Sequence, residues 1–198
     1  RVRIMNRELL AIFFAAVFTN NLLLTNYLGM CPFLGASREV KTAAGLGAAV
    51  ILVMTVTVPL NWLALHWFLI PLGLEYLRFV AYIMIVAAFV QIAEIVIERV
   101  SATLYQALGI FLPLITVNCA ILGAILFMEI RGYGFAASCV YGLGGGLGWA
   151  LAAIAMAGIR QRLTRNSRVP RPLAGAGIAL IIAGIMAIAF MGFSGVIR

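Results

Sequence analysis

Charged residues in this chain fall between long uncharged apolar runs. Five such runs cover residues 9–37, 42–74, 100–128, 132–159 and 172–197, and each exceeds the roughly 20 residues that a membrane-spanning helix needs. A sixth stretch, residues 77–97, is apolar apart from Arg78 at its start and Glu94 near its end. The pattern predicts an all-α integral membrane protein: six transmembrane helices forming a single transmembrane domain over residues 1–198.

Three spans precede the middle of the chain and three follow it. If the halves are repeats, an odd number of helices in each forces opposite orientations, an inverted three-plus-three arrangement with repeats at about 8–98 and 100–197. The string Cys-x-x-Leu-Gly-Ala occurs twice, at Cys31 and at Cys119, and Gly-Leu-Gly recurs at 45–47, 142–144 and 146–148. Glycines also recur in any helical bundle whose backbones approach closely. The first span carries Thr19, Asn20, Asn21, Thr25 and Asn26, then Gly29 and Pro32 on either side of Cys31. The fourth carries Gly109, Pro113, Thr116, Asn118 and Gly123 around Cys119. Pro removes a backbone donor, and Asn and Thr satisfy the groups a break frees, so both spans are expected to be broken near their cysteines. Irregular backbone at that depth must be buried in protein or line a cavity.

Composition agrees with the pattern: 65% of residues are hydrophobic and 10% charged, more apolar surface than a soluble core of this length hides. The net charge of +8 does not point to nucleic acid, because the arginines sit at helix ends and in one connection rather than among aromatics on a polar face. Arg160, Arg162, Arg165, Arg168 and Arg171 join the fifth and sixth spans, and Arg38, Lys41 and Arg99 fall on the same side. Arg1, Arg3, Arg7, Arg78, Arg131 and Arg198 fall on the other. The excess places the Arg160 to Arg171 connection in the cytoplasm and both termini outside. The first apolar run lacks the features of a cleavable signal. Cys31, Cys119 and Cys139 all lie in apolar segments, which argues against a disulfide framework.

With no Asp, one His and no Ser or Cys beside a base, the chain carries no hydrolytic or transferase site. His66, between aromatic residues near the end of the second span, is an interfacial side chain rather than a ligand. Taken singly, each cysteine is a small buried hydrophobe. Two of them, in matching motifs at matching breaks, would converge and make half of a metal site; a four-thiolate iron–sulfur cluster then needs two more sulfurs from a partner. Cys139 lacks the motif and is read as packing. An acid inside a span suggests an ion path, so Glu94 is a candidate, although Glu98 and Arg99 lie about a turn away and it could simply reach the interface. Asn21 and Asn118 could line a cation route or cap broken helices.

The strings "NNLLLTNYLGMCPFLGAS", "LGIFLPLITVNCAILG", "CVYGLGGGLGW" with "AGIRQRL", and "AGIMAIAFMGFSG" resemble the family that contains the A-type membrane protein of the Rnf electron-transport complex and the E-type membrane protein of the sodium-pumping NADH:quinone reductase (Nqr). The resemblance covers nearly the whole chain. Asn20-Asn21 and Cys31-Pro32 resemble the Rnf branch, whereas "FMEIRGYGF" and "GLGWALAAIAMAGIR" resemble the Nqr branch; Rnf is favoured. The resemblance implies a membrane subunit of a redox-driven translocase of Na⁺ or H⁺, not catalytic alone, in a bacterial or archaeal inner membrane. It also implies a homologous partner of opposite orientation, like the E-type protein of Rnf, and flavin- and iron–sulfur-bearing subunits. A [2Fe-2S] cluster would lie at the interface with that partner, Cys31 and Cys119 being this chain's ligands. Inverted repeats with broken helices also suit a secondary transporter without a redox centre, and a purely structural anchor would share the helices.

Overall fold

The computed structural model describes residues 2–100, 112–165 and 175–192. Gly109, Arg168, Arg171, Arg1, Arg198 and the end of the sixth expected span lie outside the described residues. The described residues are helical throughout apart from turns and connections. Helix α1 (Val2–Phe14) passes into a π-helical turn, Ala15–Thr19. After an irregular segment, α2 (Met30–Ala36) completes the first span. Helix α3 (Val40–Ala64) ends in a second π turn, Leu65–Leu69, and α4 (Arg78–Val100) follows a 3₁₀ turn, Glu75–Leu77. Then come α5 (Leu112–Thr116), α6 (Cys119–Ile130), α7 (Phe135–Arg165) and α8 (Ala176–Met191).

Three stretches are long and apolar enough to cross a membrane unaided: Val40–Leu69, Glu75–Val96 and Phe135–Thr164. Leu114–Ile130 and Ala176–Met191 are shorter apolar helices. The described residues are therefore all-helical and suit a membrane protein.

Helices α3 and α7 form the most extensive packing interface of the fold. They are antiparallel: Gly47 lies against Ala150, Gly146 against Ile51, and Gly142 against Met54. A β-carbon at Gly142 would lie 2.7 Å from the Met54 carbonyl oxygen, and one at Gly146 would lie 2.8 Å from Ile51 Cα. The absence of side chains at these positions is what brings the two backbones together. Gly144 and Gly148 turn instead toward α1 and its π turn, meeting Phe13, Ala16 and Val17, so α7 is gripped on two sides. The close-approach explanation of the glycine strings accounts for their placement.

Inside α3, Pro59 cannot donate to the preceding turn. Around it Thr55, Thr57 and Asn61 each donate to the carbonyl four residues earlier, at 2.6, 2.7 and 2.7 Å. At one end of the α3–α7 pair, Trp62 Nε1 donates to Tyr133 O at 2.8 Å. There, too, Arg78 bridges to Glu129 at 2.7 Å, while the Tyr82 hydroxyl donates to the other carboxylate oxygen at 2.9 Å. This ties the start of α4 to the end of α6. At the opposite end, Arg160 donates to the Leu34 carbonyl oxygen at 3.0 Å, near the end of α2, where carbonyls lack helical partners, and to Ser37 Oγ at 2.8 Å. Helices α2 and α6 thus run from their breaks toward opposite ends of the central pair. Arg160 therefore lies beside Ser37, whose neighbour in sequence is Arg38.

Candidate functional site

The first break spans residues 20–29. Its organiser is Asn21, which is fully buried. Its Nδ2 donates to Val17 O at 3.0 Å and to Gly148 O at 2.8 Å, while Oδ1 accepts from Leu23 N at 3.0 Å and Leu24 N at 3.4 Å. One side chain thereby satisfies backbone groups before and within the break and fastens it to α7. The segment then turns through Tyr27 at φ +55° and Gly29 at φ +82°, and Gly29 serves as the residue before α2.

The second break is tighter, at residues 117–118. Asn118 caps α6: its backbone is extended and its Oδ1 accepts from Ala120 N at 3.0 Å, the geometry that makes Asn a favoured helix start. Cys119 is the first residue of α6.

These breaks meet. The Gly29 backbone N–H donates to Cys119 Sγ at 2.9 Å, joining residues far apart in sequence. Cys31 lies two residues beyond Gly29, so its α-carbon is within about 7.6 Å of Gly29's. Both cysteines are exposed, and none of the three is in a disulfide. Thr25, Asn26, Tyr27 and Val117, within the two breaks, are exposed as well. A cavity of about 200 Å³ lies between Ile83 and Val86 of α4 and the second break from Thr116 to Cys119. Cys139 is half-buried on α7, away from both breaks in sequence.

Close packing holds this junction. A β-carbon on Gly29 would lie 2.5 Å from Trp149 Nε1, 2.9 Å from Ala120 Cβ and 3.0 Å from Asn118 Oδ1. Two buried donors there, Asn118 Nδ2 and Trp149 Nε1, have no hydrogen-bond partner among the described residues. Neither Trp149 nor the donor role of Gly29 is apparent from sequence; a tryptophan in an apolar helix carries no signal of what its ring nitrogen faces.

The remaining candidates lie apart. Glu94 is half-buried on α4, with no ion-pair or hydrogen-bond partner among the described residues. His66 is exposed, its Nδ1 3.0 Å from Trp62 O, and its ring stacks on Trp62 with centroids 4.1 Å apart, as an interfacial side chain would.

Residues 9–197 match the family described as "Rnf-Nqr subunit, membrane protein". The chain belongs to the Rnf-Nqr subunit family. Among relatives within it, the E-type subunit of the Na(+)-translocating NADH-quinone reductase of Rhodopirellula baltica is 51% identical over 212 residues, covering 97% of this chain and 99% of its own. The corresponding reductase subunits of Marinobacter nauticus and Nitrosomonas europaea are 50% and 51% identical, covering 94% and 96% of this chain and 97% and 98% of their own. All three carry the Nqr name, whereas Asn20-Asn21 and Cys31-Pro32 favour the Rnf branch. Those four residues are a narrow basis beside identity spread along the whole length.

The chemistry of the junction suits half of a four-sulfur centre. Both thiols are exposed, and the Cys119 sulfur already accepts the Gly29 N–H, as an anionic sulfur site requires. Among the described residues no three His, Cys, Asp or Glu side chains form a metal-binding group.

Proposed function

We propose that this chain is the E-type membrane component of a Na⁺-translocating NADH:quinone reductase, the alternative to the Rnf assignment that its relatives favour. In this reading, Cys31 and Cys119 hold one side of a [2Fe-2S] cluster, and a homologous membrane subunit of opposite orientation supplies the other two sulfurs. The observation that carries it is the Gly29 to Cys119 contact, which sets the first break, two residues ahead of Cys31, against the Cys119 sulfur while both cysteines are exposed. Residues 25–27 of the first break are exposed as well. Lipid cannot satisfy irregular backbone, so a protein partner is their natural cover.

When bound, the cluster would relay electrons between flavin-bearing subunits. The chain's own residues do the rest. Cys31 and Cys119 donate thiolates, Gly29 N–H partly neutralises Cys119, and Asn21 and Asn118 keep both breaks in register by satisfying their backbone. Glu94, with Asn21 and Asn118 nearer the breaks, is the proposed ion route; Glu94, without an ion-pair partner among the described residues, supplies the carboxylate. The whole chain forms one transmembrane domain of six spans, with inverted repeats at about 8–98 and 100–197, in the bacterial or archaeal inner membrane. The Arg160 to Arg171 connection is cytoplasmic and both termini lie outside, by the excess of positive charge.

The test is replacement of each cysteine in the assembled complex. Cys31→Ala and Cys119→Ala should each abolish the electron paramagnetic resonance signal of the reduced cluster. An intact signal in either variant contradicts the assignment.

A further inference from the structure

An apolar groove of about 620 Å³ lies between Phe13 and Val17 of the first span, Ile51 of α3, and Leu147, Leu151 and Ile154 of α7. That is the size of a ligand site, and Leu151 and Ile154 are exposed along it. Phe13 also lines a second cavity with Leu9, Leu10 and Val140, so its ring stands between the two. In the other direction the way is open. Leu147, Leu151, Ile154, Gly158 and Arg162 recur every three or four residues and so share one stripe of α7, and a β-carbon on Gly158 would meet nothing within 4 Å. The span Phe135–Thr164 is centred next to Ala150, which also lines the groove. Arg162 stands twelve residues beyond that centre, about 18 Å along the helix and just past the roughly 15 Å between the middle of a bilayer and its headgroups. It is exposed, without an ion-pair partner among the described residues, and no acidic residue follows Glu129 in the chain. A helical Cα–Cβ bond tilts toward the helix start, so the Arg162 side chain leaves the backbone in the direction of Gly158 and the groove.

We infer that this groove binds an anionic phospholipid, one acyl chain lying against Leu147, Leu151 and Ile154 and the phosphate paired with Arg162. The lining suits a hydrocarbon chain because every side chain in it is apolar. The depth suits a lipid rather than a partner's helix: a spanning helix needs a trough through the whole bilayer, and Phe13 interrupts this one beside Gly144, close to the middle of the span. The charge selects the headgroup. Arg162 is preceded by Arg160 and followed by Arg165, Arg168 and Arg171 in the sequence, with no acid among them, and such basic clusters at a helix end draw anionic lipids. The site is independent of the cluster.

The experiment places the assembled complex in phosphatidylcholine vesicles that contain phosphatidylglycerol with a diazirine in its acyl chain, and maps the photo-cross-links by peptide mass spectrometry. Label is expected on residues 147–155 and 13–17, displaced by unlabelled phosphatidylglycerol but not by further phosphatidylcholine or by inorganic phosphate. Arg162→Gln should lower that labelling about fivefold, the equivalent of the roughly 1 kcal/mol that one basic residue contributes at an anionic surface. Gly158→Leu, which fills open space between the groove and Arg162, should lower it as well. Arg7→Gln, at an exposed cation of α1, should leave it unmoved. Labelling that is unchanged in Arg162→Gln, or that phosphatidylcholine displaces equally, overturns the inference. So does a groove free of label, as when another subunit of the complex fills it.

Discussion

Gly29 donates its backbone N–H to the Sγ of Cys119 at 2.9 Å, and this contact couples the two broken spans of the protein. It depends on glycine twice. The residue sits at φ +82°, a region that costs an L side chain roughly 1–2 kcal/mol, and a β-carbon would press on Trp149, Ala120 and Asn118. Gly29→Ala is therefore expected to lower the thermal stability of the purified protein and to separate the two breaks. Unchanged stability together with an unchanged cluster signal would mean the junction tolerates far more slack than these distances allow.

The α3–α7 interface predicts a graded response. Gly142→Ala drives a methyl against the Met54 carbonyl and Gly146→Ala against Ile51, and such overpacking costs about 1–3 kcal/mol. Gly177→Ala, with open space around it, should be neutral. Thermal denaturation in detergent distinguishes the two classes.

Asn21 makes hydrogen bonds through both ends of its carboxamide. Asn21→Leu, similar in volume, leaves Gly148 O and Leu23 N without their partner, and each such loss costs about 1–3 kcal/mol. Protease sensitivity appearing within residues 20–29 would register the loosened break, while an undisturbed break would show that its backbone finds other partners.

Tyr82→Phe removes the hydroxyl that donates to Glu129, and a hydrogen bond to a charged group is worth about 1.5–3 kcal/mol. Breaking the Arg78 to Glu129 bridge should cost less, no more than about 1 kcal/mol, because the Arg78 side chain is 41% exposed. A double-mutant cycle of Arg78→Gln with Tyr82→Phe should find the two effects coupled through Glu129; strict additivity would mean the carboxylate does not link them.

Much of this architecture is legible in the sequence for definite reasons. Charge-free runs mark apolar helices because each charge in lipid is costly, and Asn, Pro and Gly beside Cys31 and Cys119 mark breaks because each residue type frees or satisfies backbone. The partners of these residues are not legible. Helices α3, α6 and α7 are apolar nearly all round, so no amphipathic face tells which side of Gly142 or Gly144 meets which neighbour. Which backbone groups Asn21 satisfies is equally invisible, since two of its four partners lie in the break itself and one, Gly148 O, is distant in sequence. Trp149 carries no local signal at all, since its role depends on Gly29, which is distant in sequence. The Rnf branch rests on a few residues near Cys31 and is outweighed by identity to an Nqr protein along the whole chain.

Iron and acid-labile sulfide content of the assembled complex, measured together with the reduced-cluster resonance in Cys31→Ala and Cys119→Ala, bears most directly on whether these two cysteines hold a cluster. Each variant is expected to lose the same [2Fe-2S] signal, with about two irons and two sulfides fewer per complex. Full iron and sulfide content with the resonance intact in either variant would contradict it.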